Sequence, residues 1–148
     1  MSTVFEMIID GQIPSKFIWA DDQCVAISTI EPIEAGHTLV IPRQAIDKWT
    51  DLPPALLDHL FRVAQIIGRA QEQAFDVPRS AVIIAGFEVP HMHIHVVPAH
   101  TEAAVQLPRA RAASDEELTV AAQSLREVLR QSGYEQHVPL ELGSPRVS

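Results

Sequence analysis

The apolar residues of the chain fall into short runs typical of strands and into longer stretches with the three- and four-residue spacing of helices. Residues 16–30 predict two strands around a turn at Asp21 and Asp22, and residues 37–42 predict a third strand that continues a meander. Two further strands are predicted, at 80–86 and, after Gly86, at 89–98. We therefore expect an antiparallel sheet of about five strands.

Two amphipathic helices are predicted from the longer stretches. The first begins after Asp51, with two prolines in its first turn, and its apolar stripe comprises Leu56, Leu57, Leu60, Phe61, Ala64, Ile67 and Ala74. The second runs over residues 115–132, because Ser114 and Glu117 form a capping box and Gly133 ends the pattern. The last twelve residues have no periodicity, so we predict a tail that frays or docks on a partner.

Composition limits the protein class. The chain has 148 residues, of which 47% are hydrophobic and 20% charged, as in one globular domain. Cys24 is the only cysteine, which excludes an internal disulfide and favours the cytoplasm. No segment approaches the ~20 apolar residues of a membrane span. The net charge of −8 argues against a nucleic-acid partner.

The segment HMHIHVV carries the candidate chemistry, since His91, His93 and His95 alternate with apolar residues. A strand would place the three imidazoles on one face, ~7 Å apart. A fourth histidine, His37, stands in GHTLVIP. From the residues alone, a metal site and a solvated histidine face are alternatives to a catalytic centre.

The same segment resembles the signature of the histidine-triad family, in which three histidines alternate with apolar residues before two more apolar positions. HMHIHVV matches that signature throughout, and the resemblance extends from about Val4 to Pro98. It implies an α+β, HIT-like fold over residues 1–112, with the C-terminal helix and tail, residues 113–148, packed on the same domain. It also implies a homodimer in which two sheets join edge to edge. Among the family, the chain looks most like nucleoside phosphoramidases and dinucleoside-polyphosphate hydrolases.

The resemblance assigns a role to each histidine. His93 would be the nucleophile that attacks the α-phosphorus of a nucleotide, which we expect to carry a purine base. His95 would contact the phosphate and the leaving group, and His91 and His37 would form a buried hydrogen-bonded pair that orients them. Physical chemistry agrees, because an imidazole is mostly neutral at pH 7 and neighbouring rings disfavour its protonation.

The nucleotide site implied by the resemblance includes apolar residues and some departures from the family pattern. The apolar positions are Phe5, Ile8, Ile13, Ile27 and Ile30. Thr29 stands where the family has an aspartate that binds the ribose. The family's Asn, Gln and Ser/Thr, which help to hold the phosphate, are replaced by Ser80, Phe87 and Glu88, in a segment that also contains Val82, Ala85, Gly86 and Val89.

Glu88 admits two interpretations. Strand alternation gives it the parity opposite to the histidines, which predicts an ion pair outside the site. Alternatively, it binds a cationic leaving group such as a lysyl amine, or a metal. We expect no cofactor and no structural zinc, because Glu6 and Ala45 occupy positions where some family members have zinc ligands. A binding or adaptor protein with little turnover, and a metalloprotein that uses the triad, remain alternatives to the enzyme.

Overall fold

Residues 2–148, which the computed structural model describes, form three α-helices and five strands. The helices are α1 (Val4–Ile9), α2 (Pro54–Phe75) and α3 (Asp115–Leu129). The strands are β1 (Phe17–Ala20), β2 (Cys24–Ser28), β3 (Thr38–Pro42), β4 (Arg79–Ile83) and β5 (Ile94–Ala99). The predicted α+β class is confirmed. No helix in the described residues is long and apolar enough to cross a membrane.

The five strands form one antiparallel sheet in the order β1-β2-β3-β5-β4. The first three strands are the predicted meander. Helix α2 then carries the chain to the edge strand β4, and β5 returns between β3 and β4. The predicted start of the last strand was wrong: β5 begins at Ile94 and continues through Pro98 to Ala99, so residues 84–93 are a loop.

Helix α2 covers one face of the sheet, as its apolar stripe predicts. It begins at Pro54, whose missing N–H is not needed in a first turn, and ends at Asp76 in the left-handed region. Leu60, Val63 and Ile67 of the helix are buried in one cluster with residues of β2, β3 and β5. Burial of such side chains contributes about 1.5–3 kcal/mol each.

The opposite face of the sheet carries the candidate chemistry. One row of residues runs across the four strands β1, β2, β3 and β5, each residue paired with the next: Phe17, Ile27, Leu39 and His95. Residues that are directly opposed across a sheet share a face. Helix α1 lies over this row, with Phe5 in the same apolar cluster. His95 therefore projects from the sheet toward α1 and not toward α2.

Helix α3 and the residues that follow it complete the α2 side of the core. The predicted capping box of Ser114 is present, and Leu125 and Leu129 are buried in the cluster that α2 forms with the sheet. The regular helix ends at Leu129, and a further turn closes at Gly133, which has φ +95°. A helix that ends near this glycine was predicted; its last α-helical residue lies three positions earlier than expected.

The C-terminal tail is packed on its own domain and does not fray, whereas its docking on a partner stays a prediction. Its Leu142 carbonyl accepts a hydrogen bond from the Phe17 amide at 2.6 Å. The buried guanidinium of Arg126 donates to the carbonyls of Phe17, at 2.7 Å, and Pro139, at 2.9 Å. Arginine's planar fork thereby joins α3 to both the edge strand and the tail.

Candidate active site

The loop that precedes β5 turns away from the sheet before it delivers the histidines. Gly86 has φ +81°, a conformation that glycine adopts without cost. Farther along, the Met92 amide donates to the Ile46 carbonyl at 2.7 Å and not to a neighbouring strand. Only His95 of the three triad residues lies in the strand, so the expected single row of imidazoles is not formed.

His91 lies beneath the site and has no solvent exposure. Its Nε2 is 2.7 Å from the Pro42 carbonyl, which can only accept, so Nε2 carries the proton. Its Nδ1 then accepts from the Thr3 hydroxyl at 2.7 Å. That hydroxyl also accepts from the Glu6 amide as the N-cap of α1. The predicted pair between His91 and His37 is therefore wrong.

His93 presents one free ring nitrogen. Its Nδ1 is 3.0 Å from the His91 carbonyl, so Nδ1 is the protonated nitrogen and Nε2 keeps its lone pair. The ring packs edge to face on Phe5, with the centroids 4.9 Å apart. Burial lowers the pKa of His93, and the hydrogen bond to the His91 carbonyl only partly offsets this effect. At neutral pH His93 thus presents a neutral ring whose Nε2 has a free lone pair.

His37 pairs with His95, and the backbone determines which nitrogen of each ring is protonated. The Ile33 amide donates to Nδ1 of His37 at 3.0 Å, so the proton of His37 is on Nε2. Nε2 donates to Nδ1 of His95 at 2.9 Å, which leaves the His95 proton on Nε2. Burial and the neighbouring imidazoles lower the pKa of His37 to about 3 and that of His95 to about 4.

The position of His37 depends on the residue before it. Gly36 has φ +91°, and an added Cβ would lie 2.2 Å from the Phe75 ring. Its carbonyl accepts from the Gln71 side chain at 3.0 Å, and the same amide group donates to the Val96 carbonyl at 2.8 Å. Gln71 is fully buried and connects α2 to β5 and to the turn that carries His37.

A cavity of about 560 Å³ opens above the histidines. Three of the four predicted catalytic histidines, His37, His93 and His95, line it, whereas His91 supports His93 from below. The other lining residues are Thr29, Glu31, Ala85, Gly86, Phe87, Glu88, Val89, Leu107, Pro108 and Ala110. The volume suits a small ligand.

The predicted nucleotide-binding residues do not all lie at the cavity. Thr29 lines the cavity. Four apolar residues belong to the cluster beside His93: Phe5, Ile8 and Ile27, which are buried, and Ile13, which is partly buried. Their contact with a base stays a prediction. Ile30 is 70% exposed and does not line the cavity. Ser80 bonds to the Gly68 carbonyl and to Gln71, so it faces α2, and its predicted phosphate role was wrong.

Glu88 lines the same cavity as the histidines, contrary to the prediction that it faces away. The parity argument failed because Glu88 lies in the loop and not in a strand. Its negative charge raises the pKa of His93, against the larger effect of burial. The carboxylate is therefore part of the electrostatic environment of His93.

The two non-catalytic interpretations of the triad do not fit this geometry. A solvated face is wrong, because His91, His93 and His37 are buried. A metal site usually takes at least three protein ligands, yet within residues 2–148 only Nε2 of His93 and Nε2 of His95 are without a hydrogen bond, since both ring nitrogens of His37 and of His91 are engaged. A metalloprotein that uses the triad is therefore disfavoured.

Another set of side chains has donor atoms close enough to hold a metal. Within residues 2–148, Asp21, Cys24 and His59 bring one such atom each within 4.8 Å of the others. However, the Asp21 carboxylate already accepts from Trp19, at 2.8 Å, and from His59, at 2.7 Å. His59 is partly buried in this contact. We interpret the set as a hydrogen-bonded link between the β1–β2 turn and α2.

Several residues of the site escaped sequence reasoning. Glu31, Leu107, Pro108 and Ala110 line the cavity from segments without any recognisable motif. Thr3 and Glu6 did carry a signal, because their spacing is that of a capping box. Nothing in the sequence linked that box to His91, which lies 88 positions away.

Comparison with known proteins gives a consistent answer. A family model described as the HIT domain matches residues 10–102. An uncharacterised HIT-like protein of Mycobacterium tuberculosis is 36% identical over 103 residues, which is 66% of this chain and 72% of that protein. A bis(5'-nucleosyl)-tetraphosphatase (asymmetrical) of Schizosaccharomyces pombe is 33% identical over 89 residues, or 57% of this chain and 49% of that protein.

Solved structures agree with this result. A Zn-bound histidine triad family protein from Mycobacterium smegmatis superposes with a TM-score of 0.77 at 31% identity, over 89% of this chain and 96% of that one. A HIT-like protein from Bartonella henselae, described as involved in cell-cycle regulation, has a TM-score of 0.76 at 26% identity, over 86% and 96%. The fold therefore has close parallels.

Proposed function

Since this chain belongs to the HIT domain family, we propose that it hydrolyses or transfers a nucleotide through a nucleotidyl group carried on Nε2 of His93. The observation that carries the proposal is the hydrogen-bond chain that leaves this nitrogen neutral, unprotonated and at the cavity. Such a nucleophile divides one displacement at the α-phosphorus into two. The tetraphosphatase among its relatives supports a nucleoside polyphosphate or a related substrate.

His95 complements the nucleophile. Its ring centroid lies 5.0 Å from that of His93, and its protonated Nε2 is the nitrogen not engaged by His37. A neutral N–H donor at this distance would bind a phosphoryl oxygen or the leaving atom as charge develops there. His37 and His91 act as positioning residues, since each is hydrogen-bonded to the backbone and to one other group.

Two parts of the proposal concern partners. We propose a purine nucleotide as the bound ligand, seated between the cavity and the apolar cluster that contains Phe5. We also propose a homodimer that joins the free edges of two β4 strands. Val82 on that edge and Phe61 on the adjoining face of α2 are both partly exposed, and they line one shallow groove. Sedimentation velocity measures the mass in solution.

The decisive experiment traps the intermediate. Purified protein is mixed with an adenosine 5'-phosphoramidate, denatured during turnover and digested, and peptide mass analysis should place the nucleotidyl group on His93. His93→Ala should fold normally and lose at least ~10³-fold in rate. His100→Ala, a change to an exposed histidine outside the cavity, is the matched control and should retain full activity.

Two results would contradict the proposal. An adduct on His95 would show that the nucleophile was misassigned. If the wild type binds the nucleotide but neither turns over nor forms an adduct with phosphoramidates and dinucleoside polyphosphates, the chain is a binding protein.

A further inference from the structure

Within residues 2–148, the rim of the cavity carries negative charge and no compensating lysine or arginine. Glu31 and Glu88 both line it, and both are exposed at the surface. None of the lining residues is a lysine or an arginine. The wall segment that contains Leu107 includes Arg109, but Nη1 of this arginine lies 3.0 Å from the Ala103 carbonyl. The same nitrogen lies 3.8 Å from the carboxylate of Glu34, and Arg109 does not line the cavity.

The histidines do not supply the missing positive charge. Burial lowers the pKa of His37, His93 and His95, so all three rings are neutral at pH 7. A phosphate leaving group would thus bring negative charge to a site that already holds two carboxylates. A charge about 4 Å from another changes a binding or rate constant about fivefold even in bulk water. The site electrostatics consequently favour a leaving group that carries positive charge.

An unpacked aromatic ring stands beside one of these carboxylates. Phe87 lines the cavity and is 97% exposed, whereas the rings of Phe5 and Phe17 are buried in the core. A phenylalanine so exposed contributes nothing to the core, and its neighbour in the chain is Glu88. An aromatic face next to a carboxylate is an arrangement that binds organic ammonium groups, by cation–π attraction and by charge.

We propose that Glu31, Phe87 and Glu88 form a subsite for a cationic leaving group, the amine product of a nucleoside 5'-phosphoramidate. The inference rests on the proposed transfer to His93. In the first step Nε2 of His93 bonds to phosphorus and the P–N bond breaks. Its electron pair stays on the amine nitrogen, which takes a proton from water. A second water then attacks phosphorus, frees His93 and releases one proton and the nucleoside monophosphate.

The test compares three substrates that share adenosine. The first is the phosphoramidate of a five-carbon diamine, whose distal amine is protonated; the second is the phosphoramidate of an uncharged amine of the same length. The third is diadenosine tetraphosphate. The wild type should prefer the cationic phosphoramidate over the uncharged one by about fivefold in kcat/KM, and added salt should reduce this preference.

Single substitutions assign the preference to the subsite. Glu31→Gln and Glu88→Gln should each lower the ratio of kcat/KM for the cationic substrate to kcat/KM for the uncharged substrate about threefold to fivefold, because this ratio cancels any change in the reactivity of His93 itself. Both should improve turnover of the tetraphosphate. Phe87→Leu should lower the cationic preference without affecting the tetraphosphate. Glu116→Gln removes the same charge from an exposed position on α3 and should change none of these values.

The failure of this inference differs from the failure of the proposed function. If the wild type turns over both phosphoramidates equally, or if the glutamate substitutions affect both equally, the subsite is wrong while the transfer to His93 stands. If no substrate forms an adduct on His93, the proposed function fails and the subsite fails with it.

Discussion

Replacing Thr3 by valine should destabilise the fold well beyond the loss of a helix cap. Thr3 caps α1 through its hydroxyl, and the same hydroxyl donates to Nδ1 of His91 at 2.7 Å. Loss of an N-cap costs about 1 kcal/mol. Because His91 is fully buried, its Nδ1 would be left without a donor, which costs about 1–3 kcal/mol more. We expect a total decrease of about 2–4 kcal/mol in the free energy of unfolding.

The chain contains its own control for this experiment. Ser114 caps α3 with the same capping box but without a buried partner, so Ser114→Ala should cost about 1 kcal/mol. Thr3→Ser keeps the hydroxyl and should stay close to the wild type. Urea unfolding, followed by far-UV circular dichroism and by the fluorescence of the buried Trp19, measures each free energy. Equal costs for Thr3→Val and Ser114→Ala would refute the proposed role of the Thr3 hydroxyl.

Two further predictions concern His37 and its surroundings. Gly36→Ala should cost about 2–3 kcal/mol, because the left-handed backbone is strained and the Phe75 ring must also shift to admit the added Cβ. Gly11→Ala has the same kind of backbone, with φ +83°, but open space around it, and should cost only about 1–2 kcal/mol in the same urea assay. Stability should also fall as the pH decreases. His37 and His95 titrate near 6.5 when unfolded but near 3 and 4 when folded, so below pH 6.5 the unfolded chain binds more protons. Each contributes a loss of up to about 1.4 kcal/mol per pH unit until its folded pKa is reached. Urea titrations at pH 7, 6 and 5 should show a smaller slope for His37→Asn than for the wild type, and equal slopes would contradict the assignment.

The parts of the fold that local chemistry determines were predictable from the sequence. The stripe of α2 and the capping box at Ser114 each depend on residues within a few positions of one another. The loop that carries Phe87 and Glu88 was misjudged, because alternation was extended backward through residues that do not pair with another strand. What ends the pairing there is a long-range contact, the hydrogen bond from Met92 to Ile46, and no local pattern encodes it.

The same distinction between local patterns and contacts made by the fold applies to the protonation of the histidines at the site. The carbonyls of Pro42 and His91 and the amide of Ile33 determine which nitrogen is protonated in three rings, and each of these is a backbone group. Such groups persist whatever side chains line the cavity. The chain departs from the family pattern at Thr29, and again in the loop that carries Phe87 and Glu88, without touching any of these contacts. Those departures therefore change the lining of the cavity, whereas the orientation and protonation of the His93 ring depend on the fold.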